Sequence, residues 1–181
     1  MKHHALALAA LLVTAVSCTQ SDSLYCSIPA RLIVSNTYQA PALYTACNSL
    51  GEFCTVTMDA QRIYFQGSKE TSPINRTALG SNYDSTILGL GGLIIGLPAL
   101  PEIGKDVSQV VCYDLHCPNC YEQNGGVTKR LTVDGSTAKC TGCRCAYDLN
   151  SLGIVSQGES GRPLYRYRAS YVGTALVVSN R

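Results

Sequence analysis

Apolar positions in this chain fall in short runs separated by turn residues, and no long stretch repeats them every 3.6 residues. That pattern predicts strands rather than amphipathic helices. Arg31-Leu32-Ile33-Val34 reads as a strand stopped by Ser35-Asn36. Phe53 to Met58 and Ile63 to Phe65 read as two more, with the Asp59 to Arg62 segment as the bend between them. Residues 66–86 are rich in Ser, Thr, Asn and Gly and read as loop. Residues 107–111 lead as a strand into Cys112. Lys129 to Val133 and Ser136 to Cys140 flank Asp134-Gly135, a dipeptide that favours the tight turns of hairpins. Leu164 to Ala169 and Thr174 to Ser179 flank Val172-Gly173 as a closing hairpin. The expected fold is mostly β, an antiparallel arrangement of short strands forming a single domain over residues 25–181.

Two stretches depart from this rhythm. Residues 87–100 (Ile87 to Leu100) carry no charge. The run is too short and too rich in glycine for a membrane span, and Pro98 adds to the case. It reads as a buried or partly buried loop covering one end of the sheet, with an apolar contact surface for a partner or the membrane as the second reading. The other stretch is the N-terminus. Met1-Lys2-His3-His4 is followed by an apolar run from Ala5 to Val16, within the range of a signal-peptide core and short of the ~20 residues that span a bilayer.

That run ends in Ala15-Val16-Ser17-Cys18, which resembles the lipobox of bacterial lipoproteins, with Ala15 where the pattern usually has Leu. The resemblance implies a signal peptide over residues 1–17 and a diacylglyceryl group, with palmitate, on the Cys18 sulfur. Residues 18–24 would be a polar tether, and the membrane a partner through the lipid. Thr19 rather than Asp follows the cysteine, which by lipoprotein sorting rules implies a periplasm-facing position on the outer membrane. Gln20-Ser21-Asp22-Ser23 holds too little acid to indicate surface export.

Charge narrows the function further. Without Lys2, the basic residues outnumber the 12 acidic ones by about one. No basic stripe is interleaved with aromatics, which argues against nucleic acid as a partner. No His stands beyond His116 in the exported part to activate a Ser or Cys nucleophile. Gly89-Leu90-Gly91-Gly92 lacks the lysine and the strand–helix setting of a phosphate loop. Hydrolase and nucleotide-dependent activities are thus disfavoured, and no catalytic residues are assigned.

The chain's 10 cysteines carry the chemistry. An exported protein folds where disulfides are the usual fate of cysteine. Cys26, Cys47 and Cys54 can supply one disulfide, with Cys47–Cys54 the local choice, although spacing does not fix connectivity. Cys112, Cys117, Cys120, Cys140, Cys143 and Cys145 crowd together and need another account. Cys117-Pro118-Asn119-Cys120 and Cys140-Thr141-Gly142-Cys143 are two CxxC turns separated by a spacing usual for zinc sites. Each turn presents two sulfurs on one side, and the hairpin between them brings the turns together. Four thiolates then meet as a tetrahedral Zn²⁺ requires, and as a rubredoxin-type iron also requires. Two disulfides or two reactive CxxC pairs are the competing reading. Haem attachment needs His after Cys120, where Tyr121 stands.

Val111-Cys112-Tyr113-Asp114-Leu115-His116-Cys117, with Lys139-Cys140-Thr141-Gly142-Cys143-Arg144-Cys145-Ala146-Tyr147-Asp148-Leu149 and Gly153, resembles the two cluster loops of the Rieske domain. Gly158 to Tyr167 is similar to the family's following loop and strand. The resemblance spans about residues 107–180. It implies a Rieske-like antiparallel β sandwich with a small two-knuckle metal-binding subdomain over about residues 112–153. Carried over, Cys112 and Cys140 fall at the family's ligand cysteines, and Asp114 and Cys143 at its histidines. A Rieske cluster needs two His and two Cys, a set the exported part cannot supply, since His116 is its one histidine. The implied site is instead one metal on Cys117, Cys120, Cys140 and Cys143, with His116 on the surface or behind the ligands. By the same resemblance Cys112 and Cys145 pair as a disulfide, or they add ligands for a larger cluster. Asp148 is expected to cap a turn. Two functions follow. One is a tethered binding or structural module stapled by zinc. The other is an electron carrier with iron or a [2Fe-2S] cluster in the same cysteines, served by a redox or protein partner that the residues do not name.

Overall fold

The structure, a computed structural model, describes residues 24–180. The proposed signal peptide, Cys18 and most of the tether lie outside the described residues. The described chain is mostly β, in two antiparallel sheets.

The first half runs β1 (Ala30–Val34), α1 (Pro41–Asn48), β2 (Phe53–Met58), β3 (Arg62–Gln66) and β4 (Thr71–Asn75). After a 3-10 segment at Arg76–Asn82 come β5 (Ile87–Leu88) and β6 (Leu93–Gly96). The second half runs β7 (Val111–Asp114), α2 (Pro118–Gln123), β8 (Thr132–Asp134), β9 (Thr137–Lys139) and β10 (Ala146–Asp148). It ends with β11 (Ile154–Gln157), β12 (Arg166–Val172) and β13 (Ala175–Ser179). The large sheet has the order β4-β3-β2-β6-β7-β12-β13-β1-β5, and the small one β11-β10-β9-β8.

Two cores share the middle of the large sheet. One collects Leu32 and Val34 of β1, Ile63 and Phe65 of β3, Ile95 of β6 and Leu43 and Cys47 of α1. Strands near both ends of the sheet order meet in it, so the sheet curls over a common apolar face. The other core lies on the reverse face of β6 and β7. There Ile94, Val111, Tyr113 and Leu115 meet Ala138, Tyr147 and Leu149 of the small sheet. Alternation along a strand sends successive side chains to opposite faces, so β6 buries Leu93 and Ile95 in the first core and Ile94 in the second.

This double burial corrects the expectation for residues 87–100. The segment is not a loop over a sheet end. Its middle is β6, paired on one side with β2 and on the other with β7. A strand buried on both faces loses its period-2 polarity and reads as one apolar run. Residues 66–86 also hold more structure than loop. β4 pairs with β3 along its whole length, and Pro73 is tolerated because β4 is an edge strand. Residues 107–110 are irregular, and the strand expected there begins at Val111.

Neither helix was expected. α1 has only eight residues, opens on Pro41 and buries Ala42, Leu43, Ala46 and Cys47 along one side. Its first turn borrows a cap from β4, where Ser72 Oγ accepts the Ala42 N–H at 3.0 Å. Both expected hairpins form, shifted by one residue. Asp134 pairs with Thr137 around Gly135-Ser136, and Val172 with Ala175 around Gly173-Thr174. The bend between β2 and β3 is closed by Asp59, whose carboxylate accepts the N–H groups of Gln61 and Arg62 at 2.7 Å each.

Candidate metal centre

The small sheet and α2 hold four sulfurs together. Cys117 stands at the position just before α2, Pro118 occupies the first helical position, and Cys120 follows within the first turn. The first CxxC is therefore a helical turn. The second, Cys140 to Cys143, is the turn between β9 and β10, closed by the Cys140 N–H donating to Cys145 O at 2.9 Å. Cys117 Sγ lies 3.5 Å from Cys143 Sγ, and Cys120 Sγ 3.6 Å from Cys140 Sγ. All four sulfurs lie within 4.8 Å of one another. A tetrahedron with Zn–S arms of about 2.3 Å has edges of about 3.8 Å. The donor set thus fits one tetrahedral ion, and this cysteine group can hold a metal.

Small residues make the approach possible. A Cβ on Gly142 would lie 3.1 Å from Cys120 Sγ and 3.6 Å from Cys140 Sγ. A Cβ on Gly161 would meet the Asn119 side chain at 2.2–2.6 Å. Asn119 is buried inside the first CxxC and braces the site from behind. It donates to Cys145 Sγ at 3.6 Å and accepts the Arg162 N–H at 3.0 Å. The Tyr147 hydroxyl lies 3.1 Å from Cys117 Sγ. Asn119 and Tyr147 went unassigned in the sequence. Their signal was position alone, one between the ligand cysteines and the other in the Tyr147-Asp148-Leu149 run.

The thiols differ in acidity. Burial pushes Cys117 far up, against the Tyr147 hydroxyl. Burial and the Cys140 thiol push Cys120 up to about 11. Burial also acts on Cys143, but the Cys145 N–H and the thiols of Cys117, Cys145 and Cys140 outweigh it and bring Cys143 down to about 7. Without a cation, Cys143 therefore ionises more readily than Cys117 and Cys120. With a divalent ion all four can ionise, because the ion supplies the missing positive charge.

The first-loop carry-over from the Rieske pattern is corrected. Along β7, Tyr113 turns toward the small sheet, so Cys112 turns to the opposite face. Cys112 is fully buried in the first core, two strands from Cys54, with Ile95 between them. It is neither an extra ligand nor a bridge partner for Cys145, which sits in the second core. Asp114 likewise faces away from the sulfurs. Its carboxylate accepts from Leu90 N at 2.9 Å, His116 N at 2.8 Å and the Tyr167 hydroxyl at 2.6 Å, with His116 Nδ1 at 3.2 Å. His116 is buried beside it and stays out of the cluster. Gly89 permits this arrangement, since a Cβ there would lie 2.2 Å from Asp114 Oδ2.

Asp148 caps its turn as expected, accepting from Asn150 N at 2.9 Å and Ser151 Oγ at 2.8 Å. The nine described cysteines are free thiols, which corrects the expected Cys47–Cys54 disulfide. Cys47 and Cys54 pack in the first core as small apolar side chains. Burial pushes Cys47 up to about 12 and also pushes Cys54 well up.

Comparison with known proteins found no family model, no curated protein and no solved structure that matches this chain. Among the described residues, no helix is long and apolar enough to cross a membrane.

Proposed function

We propose that this chain is an exported lipoprotein, anchored through Cys18, whose Rieske-like β domain uses Cys117, Cys120, Cys140 and Cys143 to hold one structural zinc ion. The observation that carries the metal assignment is the convergence of four sulfurs from two CxxC turns within 4.8 Å. Four thiolates on one ion close its shell and leave no position for substrate, which favours a staple over a catalytic centre. A two-iron cluster divides its ligands between two metal atoms, so a set this compact favours a single ion. The anchor rests on the apolar run ending at Ala15-Val16-Ser17-Cys18. The domain then serves as a binding or structural module on the periplasmic side of the outer membrane.

An electron carrier with rubredoxin-type iron is the second reading. The Tyr147 hydroxyl at 3.1 Å from Cys117 Sγ favours it, because hydrogen bonds to ligand sulfurs set the reduction potential of iron–sulfur sites. Elemental analysis of protein purified from its native envelope separates the two. One zinc per chain and a colourless protein support the staple, whereas stoichiometric iron with a visible charge-transfer band overturns it. The anchor is tested by Cys18→Ala, expected to leave the membrane fraction. A variant that still pellets, together with a wild type carrying no lipid by mass spectrometry, rules the anchor out.

A further inference from the structure

Two features of the fold meet where the chain emerges. Leu24 is the first described residue, and the Cys26 N–H donates to Arg166 O at 3.0 Å, which pins this segment beside the start of β12. The same end carries a cleft of about 480 Å³ lined by Leu24, Leu152, Ile154 and Leu164 together with Arg162 and Arg166. The loop after β6 reaches it as well. The Ala99 N–H donates to Asn150 Oδ1 at 2.9 Å, and Glu102 forms an ion pair with Arg166. That loop presents Leu100 and Ile103, 71% and 106% exposed, while Leu24, Leu152 and Ile154 are each 40–50% exposed. Single exposed apolar residues are ordinary, but five from three separate segments at one end mark a contact surface. Two arginines of the cleft are matched, Arg162 with Glu122 at 2.9 Å and Arg166 with Glu102.

The chain outside the described residues indicates what covers this surface. Thr19-Gln20-Ser21-Asp22-Ser23 is polar and offers no apolar side chain to lay over it. From Cys18 to Leu24 an extended chain reaches about 20 Å. A lipid on Cys18 therefore holds Leu24 within that distance of the headgroup layer, which is roughly 5–8 Å deep. Such a short tether keeps the two surfaces at high effective concentration. We infer that this face docks on the bilayer that anchors it, with Leu100 and Ile103 entering the interfacial layer. The inference rests on the lipoprotein reading above. Docking in this way turns β11, and with it the metal-bearing sheet, toward the membrane surface.

The chain contains no tryptophan, so a single one reports unambiguously. Ile103→Trp places it on the docking face. Val172→Trp places it at the far end of β12, about 20 Å from Arg166 along the strand, at a residue 74% exposed. Both full-length lipidated variants are reconstituted into phosphatidylcholine vesicles with brominated acyl chains. The reporter at position 103 is expected to shift to the blue and lose about half its emission, independently of salt. The reporter at 172 is expected to keep the emission of a water-exposed indole. Equal quenching at the two positions overturns the docking face. Mass spectrometry of Cys18 and vesicle flotation read the anchor separately. Protein that floats with an unquenched reporter at 103 overturns docking alone. Unlipidated protein that does not float overturns docking and anchor together.

Discussion

Cys143 is brought down to about 7, and it is the partly exposed member of the four clustered sulfurs. Thiolates react and thiols do not. In metal-free protein near pH 7.5, iodoacetamide should therefore modify Cys143 ahead of Cys117 and Cys120, both of which burial pushes up. The sign follows from the same proton. As pH falls through about 7 the Cys143 thiolate protonates, so its alkylation slows and metal is held less tightly, since each ligand must shed a proton to bind. Peptide mapping after timed labelling gives the order, and equal rates at Cys143, Cys117 and Cys120 would refute it. Asp114 is the other residue whose role is settled locally. Its buried carboxylate satisfies Leu90 N, the Tyr167 hydroxyl and the backbone N–H and Nδ1 of His116. Asp114→Ala strands several buried donors at once and should lower stability by about 3 kcal/mol in denaturant unfolding, with metal content unchanged. An unaltered midpoint would show that water replaces the carboxylate without loss. The sequence pointed to Asp114 only through the Rieske pattern, at a histidine's place. Its true partners come from residues 90 and 167, and sequence spacing does not reveal contacts so distant along the chain.

Strands, hairpins and turns were legible where one face is dry and the other wet. β2 appears with its boundaries intact because Phe53, Cys54 and Val56 are buried while Thr55, Thr57 and Met58 are partly open. The Gly135 and Gly173 turns appear because positive φ selects glycine at each. Elements whose signal depends on tertiary surroundings were missed. β6 lost its alternation by being central, and β4 looked like loop because an edge strand can carry Pro73. α1 has two turns, no charge and a cap supplied by Ser72 from another element. β6 also carries a tight constraint against backbone. A Cβ on Gly96 would stand 2.4 Å from the Glu52 backbone oxygen and 2.3 Å from Phe53 Cδ1. Backbone cannot swing aside as a side-chain tip can, so Gly96→Ala must part β6 from β2. The expected destabilisation is about 1–3 kcal/mol by thermal or urea unfolding. A variant as stable as wild type would mean that the β2 end opens freely.

At the scale of the whole molecule, the two cores give two unequal claims on the metal. The first core joins strands from both ends of the large sheet to α1 and includes none of Cys117, Cys120, Cys140 and Cys143. The second is built partly from these cysteines, with Cys117, Cys120 and Cys140 among its buried residues. The small sheet has four strands of three or four residues each, close to the size at which a sheet needs outside support. Folding coupled to zinc binding is worth on the order of 10 kcal/mol in small peptides. Removing the ion should thus loosen the small sheet without melting the large one. Chelation, or Cys140→Ser, is expected to speed amide exchange from about residue 115 to 157, while β1, β2, β6 and β13 keep their protection. The small sheet stays docked through Tyr113, Leu115 and Ile94, so partial protection should persist at Tyr147 and Leu149, which pack against them. Exchange that rises evenly over both sheets would make the two cores one cooperative unit. Exchange unchanged by metal removal would mean that packing alone holds the four sulfurs together, and the zinc staple would lose its structural basis.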